Sequence, residues 1–167
     1  MAPSGPVHFL SPDQQSGVHC LIQLLTPNNL SRRLQSVLNA AARSVAGLRR
    51  SDHITNTLAS FHWLRVSEYV QFKLATLINK SLHSLAPKYL VDDLRYRHSR
   101  QTTTRSASSF QLEVPRTGLV TVGDRTFSAA GSKLWNNLPR DVTECQTLAV
   151  FRRKLKHFLF SLSFPGH

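Results

Sequence analysis

Cysteine is nearly absent: the 167 residues hold two, Cys20 and Cys145. Two are too few for a disulfide-stapled scaffold, and too few for a four-cysteine zinc site. Acid is also scarce, with nine Asp and Glu against 21 Lys and Arg. No apolar run approaches the roughly 20 residues that cross a bilayer. No basic stretch leads into an apolar one at the start of the sequence, which argues against a cleaved signal peptide. The seven glycines form no loop followed by Lys and Ser or Thr that could cradle a phosphate chain. A Gly-x-Ser-x-Gly elbow is missing as well. Eight histidines are scattered at 8, 19, 53, 62, 83, 98, 157 and 167. No two of them have helical ligand spacing with a third ligand nearby, and a zinc site on Cys20 and a histidine is disfavoured. The expectation is an intracellular protein of cytoplasm or nucleus, with no metal, no cofactor and no small-molecule substrate.

What is present is positive charge, unevenly placed. Residues 1–31 contain no Lys or Arg and one acid, Asp13. Residues 32–167 carry all 21 basic residues and eight acids, a balance of +13. A field of that size favours polyanions, the backbone of RNA or DNA before an anionic membrane surface. A solvated basic face that only maintains solubility is the plainer alternative.

The apolar share of 41% is enough for one modest core. Residues 1–17 hold three Pro and two Gly with few apolar residues, so 1–27 is expected to be a disordered tail and 28–167 a helical domain. Leu30, Leu34, Val37, Ala41 and Val45 recur at spacings of four, three, four and four, the stripe of a helix with one buried face, and Gly47 is its stop. Asp52 is a cap for a short helix at 53–61. Ser67 is a cap for a second strong helix, with Val70, Leu74, Leu77, Ile78, Leu82 and Leu85 on its apolar face and Ala86-Pro87 at its end. A short helix over 88–94 follows. The polar, arginine-rich stretch 95–109 is expected to be a long exposed loop. Phe110, Leu112 and Val114 alternate with Gln111 and Glu113, and Leu119, Val120 and Val122 follow a glycine, which predicts a small β-hairpin near 110–122. A helix over 125–136, with Asp124 as its cap, precedes the last one. There Leu148, Phe151, Leu155, Phe158, Leu159 and Leu162 share a stripe behind Thr143 or Thr147. The fold class expected is mainly α, with about four to six helices and that hairpin. Leu74, Ile78, Leu82, Trp63, Trp135, Leu155 and Phe158 should form its core, both tryptophans reading better as core anchors than as base-stacking surfaces.

From about residue 32 the sequence resembles a recurring block in LINE-type (non-LTR) retrotransposon reverse transcriptases. Carrying the resemblance are Leu34-Gln35, Asn39-Ala40-Ala41-Ala42-Arg43, Asp52-His53-Ile54-Thr55 and Leu58-Ala59-Ser60-Phe61-His62-Trp63-Leu64. Phe72-Lys73-Leu74, Leu85-Ala86-Pro87-Lys88-Tyr89-Leu90, Val114-Pro115-Arg116-Thr117 and Gly123-Asp124-Arg125-Thr126-Phe127 continue it. It closes with Lys133-Leu134-Trp135-Asn136-Asn137-Leu138-Pro139 and Phe151-Arg152-Arg153-Lys154-Leu155-Lys156. Order and spacing both match. The family's Leu-Pro after His-Trp is here Leu64-Arg65, and 1–27 does not take part. The resemblance implies a segment downstream of the endonuclease and polymerase palm, holding template RNA or target DNA near the polymerase without catalysis of its own. The family's polymerase needs three carboxylates holding two divalent metals, and that set is not in this sequence. Tyr89-Leu90-Val91-Asp92-Asp93 imitates the polymerase's aromatic-x-Asp-Asp turn, but it follows a proline within a short helical stretch and reads as a solvated helix end. Gly123-Asp124-Arg125 reads as a turn. No catalytic residue is expected.

The basic clusters carry the functional expectation. Arg95, Arg97, Arg100 and Arg105 stand among hydroxyls with Tyr96 and His98, a composition suited to phosphates and base stacking. Arg152, Arg153, Lys154 and Lys156 lie on the polar side of the last helix. A basic amphipathic helix can also lie on a membrane, although its apolar face is better used inside the bundle. The expected function is electrostatic binding of RNA or DNA. The alternative is a translated remnant of a degenerate retroelement without independent function.

Overall fold

A computed structural model describes residues 28–96, 111–116 and 126–166. Among them are seven helices: α1 (Asn28–Ala46), α2 (Thr55–Ser60), α3 (Val66–Leu82), α4 (Lys88–Asp92), α5 (Phe127–Asn136), α6 (Arg140–Thr143) and α7 (Leu148–Ser163). The mainly α expectation holds. The helix number is higher than expected because the turn of helix at α6, after Pro139, has no apolar period of its own to announce it. The tail 1–27 and most of the loop 95–109 lie outside the described residues.

Helix α3 is the centre of the assembly. It packs on α7 and α5, and α1 and α4 lie against it. The main core contains Ala75 and Ile78 of α3, Leu134 and Trp135 of α5, Val142 of α6, and Phe151, Leu155 and Leu159 of α7. Leu94 and Leu112 close it from the loop side. Gly131 lets α5 approach α3, since a Cβ there would stand 3.2 Å from Ile78 Cδ1. A smaller core joins Ala42, Leu58, Ala59 and Phe164. Phe160 packs against both.

Of the seven core residues expected, Ile78, Trp135 and Leu155 are buried, and Leu74, Leu82 and Phe158 are half-buried against the main cluster. Trp63 needs correcting. It is half-buried against the smaller cluster, its ring 5.6 Å from that of Phe61. Leu85 also needs correcting, being 65% exposed.

The stripe expected to bury α1 faces solvent. Leu30, Leu34, Val37 and Val45 are all exposed, Val37 by 68%. The inward face carries Ala42, half-buried Leu38, and the half-buried amides of Gln35 and Asn39. Periodicity found the helix but chose the wrong side, because the true contact is made by Ala42, Leu38 and two polar residues, which do not form the longest apolar stripe.

Helix ends follow local hydrogen bonding rather than the nearest capping residue. α1 stops at Gly47, whose φ of +64° is the left-handed conformation expected. Leu48 N–H reaches back to the Arg43 carbonyl at 3.0 Å, the six-residue closure of a Schellman motif. The same closure ends α2 at His62 and α3 at Ser84, through Trp63 N–H to Leu58 O and Leu85 N–H to Lys80 O. Both residues are left-handed without being glycine, with φ of 54° and 56°. α3 therefore ends ahead of Ala86-Pro87. A side chain in this conformation costs on the order of 1 kcal/mol. Ser84→Gly should raise stability by up to about 1 kcal/mol, less the extra chain entropy of glycine. A lower urea midpoint for this variant would contradict the strain account.

Three expected caps are replaced. Asp52 accepts from Arg49 N–H at 2.8 Å and closes the preceding turn, while α2 begins behind Ile54 with no side-chain cap. Ser67 lies inside α3, its hydroxyl donating to Glu68, and the Val66 N–H is instead taken by Gln35 Oε1 of α1 at 2.8 Å. Thr126 caps α5 by accepting from Ala129 N–H, with Asp124 outside the described residues. Thr147, one of the two expected candidates, caps α7.

No strand forms among the described residues. Tyr96 and Leu112 make one isolated antiparallel bridge, and 117–125, with the second expected strand, lie outside them. Asn136 holds the described segment in place. Its side chain donates to Leu112 O at 2.9 Å and accepts from Leu112 N–H at 2.8 Å. That amide pairs both backbone groups of Leu112.

Candidate nucleic-acid interface

Helix α7 presents its basic residues because its apolar ones are claimed. Phe151, Leu155 and Leu159 recur every fourth position and are buried, with Leu148, Phe158 and Leu162 half-buried beside them. At 3.6 residues per turn this leaves 152, 153, 156 and 157 away from the core. Arg152, Arg153, Lys156 and His157 are all exposed.

The structure brings three of the four expected α7 cations together and sets one apart. Arg152 and Lys156 are four residues apart and Arg153 and Lys156 three, so each pair shares a face. Lys154 turns away: its Nζ donates to the Asp141 carbonyl of α6 at 2.9 Å. That bond gives Lys154 a structural use. His157, one turn beyond Arg153, joins the face, and its i+4 spacing was the signal that could have found it.

Arg95 is exposed at the edge of the isolated bridge, where its carbonyl accepts from Glu113 N–H at 2.8 Å. Beside it, Tyr96 is 44% exposed, and the partial burial of its phenol raises the pKa above the ordinary value. Arg97, Arg100 and Arg105 lie outside the described residues. No described contact joins Arg95 to the α7 face.

Like charges at three- and four-residue spacing destabilise a helix by a few tenths of a kcal/mol per pair. No carboxylate among the described residues forms an ion pair with Arg152, Arg153 or Lys156, so nothing described offsets that repulsion. A polyanion would. The face can therefore neutralise phosphates.

Sequence reasoning also passed over Arg32 and Arg65. They line one cleft between α1, α2 and α3, together with Gln35, Asn39, Thr55 and Ser67. Arg32 and Arg65 are 33 positions apart, and no spacing rule links them.

Asp92 and Asp93 are exposed at the end of α4, a helix terminus rather than a turn between strands. Trp135 is buried against Phe151, ring centroids 5.8 Å apart, and cannot offer its face to a base. Among the described residues no three His, Cys, Asp or Glu side chains gather as a metal site. No described helix is long and apolar enough to cross a membrane. No family profile, curated protein or solved structure matches this chain. The retrotransposon resemblance thus stands on the motifs quoted above.

Proposed function

We propose that this chain is a non-catalytic nucleic-acid-binding module, akin to the C-terminal part of a LINE-type reverse transcriptase. The α7 face binds the phosphate backbone of RNA. The observation that carries the reading is the exposed group Arg152, Arg153 and Lys156, which has no ion-pair partner among the described residues. The motif resemblance supplies the biological setting, and the charge of +13 over residues 32–167 supplies the long-range attraction. No base-reading element accompanies these cations among the described residues, so binding by this face is expected to be indifferent to sequence.

Fluorescence anisotropy with two unrelated single-stranded RNAs at low salt tests it. Comparable binding of both supports the module. Failure to bind either one favours the remnant reading. The non-catalytic part has its own test. Primer extension on a homopolymer template with magnesium or manganese should stay at background. Extension abolished by Asp92→Ala and Asp93→Ala would overturn it.

A further inference from the structure

We infer that the cleft between α1, the start of α2 and the start of α3 is a second phosphate subsite, taking a phosphodiester of the same bound strand. The inference rests on the nucleic-acid reading for the identity of the ligand, and on the cleft itself for its chemistry. The cleft has a volume of about 390 Å³. Arg32 enters it from α1 and Arg65 from the residue preceding α3. Both are exposed, and neither forms an ion pair with a described carboxylate. The nearest acid in sequence, Glu68, does not line the cleft, and its carboxylate accepts the Ser67 hydroxyl at 2.6 Å. Two positively charged side chains lining one cleft both attract an anion held there.

The neutral lining also favours an anion. The Val66 N–H can only donate, and it donates to Gln35 Oε1. That fixes the orientation of the Gln35 amide, whose Nε2 then donates to Asn39 Oδ1 at 2.8 Å. With its oxygen turned toward Gln35, Asn39 has its NH2 on the other arm of the amide, with no described partner. A chain of bonds begun by one backbone N–H thus ends in a free donor beside two arginines. Donors and positive charge together suit phosphate oxygens.

One cleft residue, Arg65, also reaches the C-terminal end of α7. Arg65 lies over the Phe164 ring, 5.3 Å from its centroid, which holds the guanidinium in place without a carboxylate. The Phe164 ring is 5.0 Å from that of Phe160. Phe160 lies one turn beyond Lys156 and His157, and exposed His62 stacks on it at 5.5 Å. Arg65 thus joins the cleft, through the Phe164 ring, to Phe160 and the His62 stack on α7. Stacked rings between phosphate sites are the arrangement that single strands use.

The test compares full-length wild type, Arg32→Gln, and Arg32→Gln with Arg65→Gln, for binding of a single-stranded RNA across a salt series. Arg32→Gln alone loses no described contact, so it remains informative should the double variant unfold. Two lost contacts should flatten the log–log slope by about 1.4, and one by about 0.7. Titration of inorganic phosphate into wild type, followed by NMR, should move the Asn39 side-chain amide. Phosphate shifts without RNA binding would support the subsite while refuting the nucleic-acid reading. RNA binding with unchanged slopes in both variants, and no shift at Asn39, would overturn the subsite and leave that reading intact.

Discussion

Phe151→Ala is expected to lower the unfolding free energy by about 3–5 kcal/mol, the range for truncating a fully buried aromatic. Phe151 is 0% exposed and stacks on Trp135 across the α5–α7 contact. It shares its cluster with Ile78, Leu134 and Leu155, which come from α3, α5 and α7. The cavity left by its ring therefore opens at the junction of three helices, none of which can collapse without moving the others. Domains of this kind are stable by roughly 5–15 kcal/mol in all. The variant should consequently unfold at far lower urea, or be only partly folded without it. A loss below about 1 kcal/mol would mean that α7 does not pack as described. Val37→Ala, on the exposed stripe of α1, is the control and should change stability by no more than about 0.5 kcal/mol.

The second large effect is on binding. Replacing Arg152, Arg153 and Lys156 together by Gln removes three exposed charges and no buried surface. At about −0.7 per contact on a single strand, the log–log salt slope should flatten by about 2, which at 0.1 M salt corresponds to roughly a hundredfold weaker binding. The loss should be the same for unrelated sequences, since phosphate contacts carry no sequence information. Circular dichroism should be unchanged, because the three side chains point away from the core. Lys154→Gln should behave differently. Its ammonium is bonded to the Asp141 carbonyl, so a modest loss of stability is expected rather than a change in slope.

Which parts were legible in the sequence follows from where each interaction is made. α7 was readable because its core residues recur every fourth position and Thr147 stands at its start. The end of α1 was readable because glycine at 47 marks a left-handed residue. In contrast, the left-handed ends at His62 and Ser84 carry ordinary side chains and give no such mark. The facing of α1 was misread because its inward contact is made by Ala42, a single leucine, Leu38, and the Gln35 and Asn39 amides, which leave too little hydrophobic pattern to outweigh the outer stripe. The cap of α3 comes from Gln35, 31 positions earlier, and the clamp on Leu112 from Asn136, 24 positions later. Pairings over such distances belong to the tertiary fold. For the same reason the α7 cations could be named in advance, being neighbours on one helix. The convergence of Arg32 and Arg65 could not, since three helices must pack before they share a cleft. Lys154 shows the converse: adjacent in sequence to Arg153, it is drawn off by a carbonyl on another helix.

The central claim is that exposed, unpartnered cations bind a phosphate backbone. The most direct measurement is the affinity of wild type for a single-stranded RNA across a salt series. Phosphate contacts by Arg152, Arg153 and Lys156 would give a log–log slope of about −2.1, and of about −3.5 with Arg32 and Arg65 of the cleft. A slope of about −2 to −3.5, equal for unrelated sequences, is the predicted result. No binding at low salt, or an affinity that does not change with salt, would contradict the account.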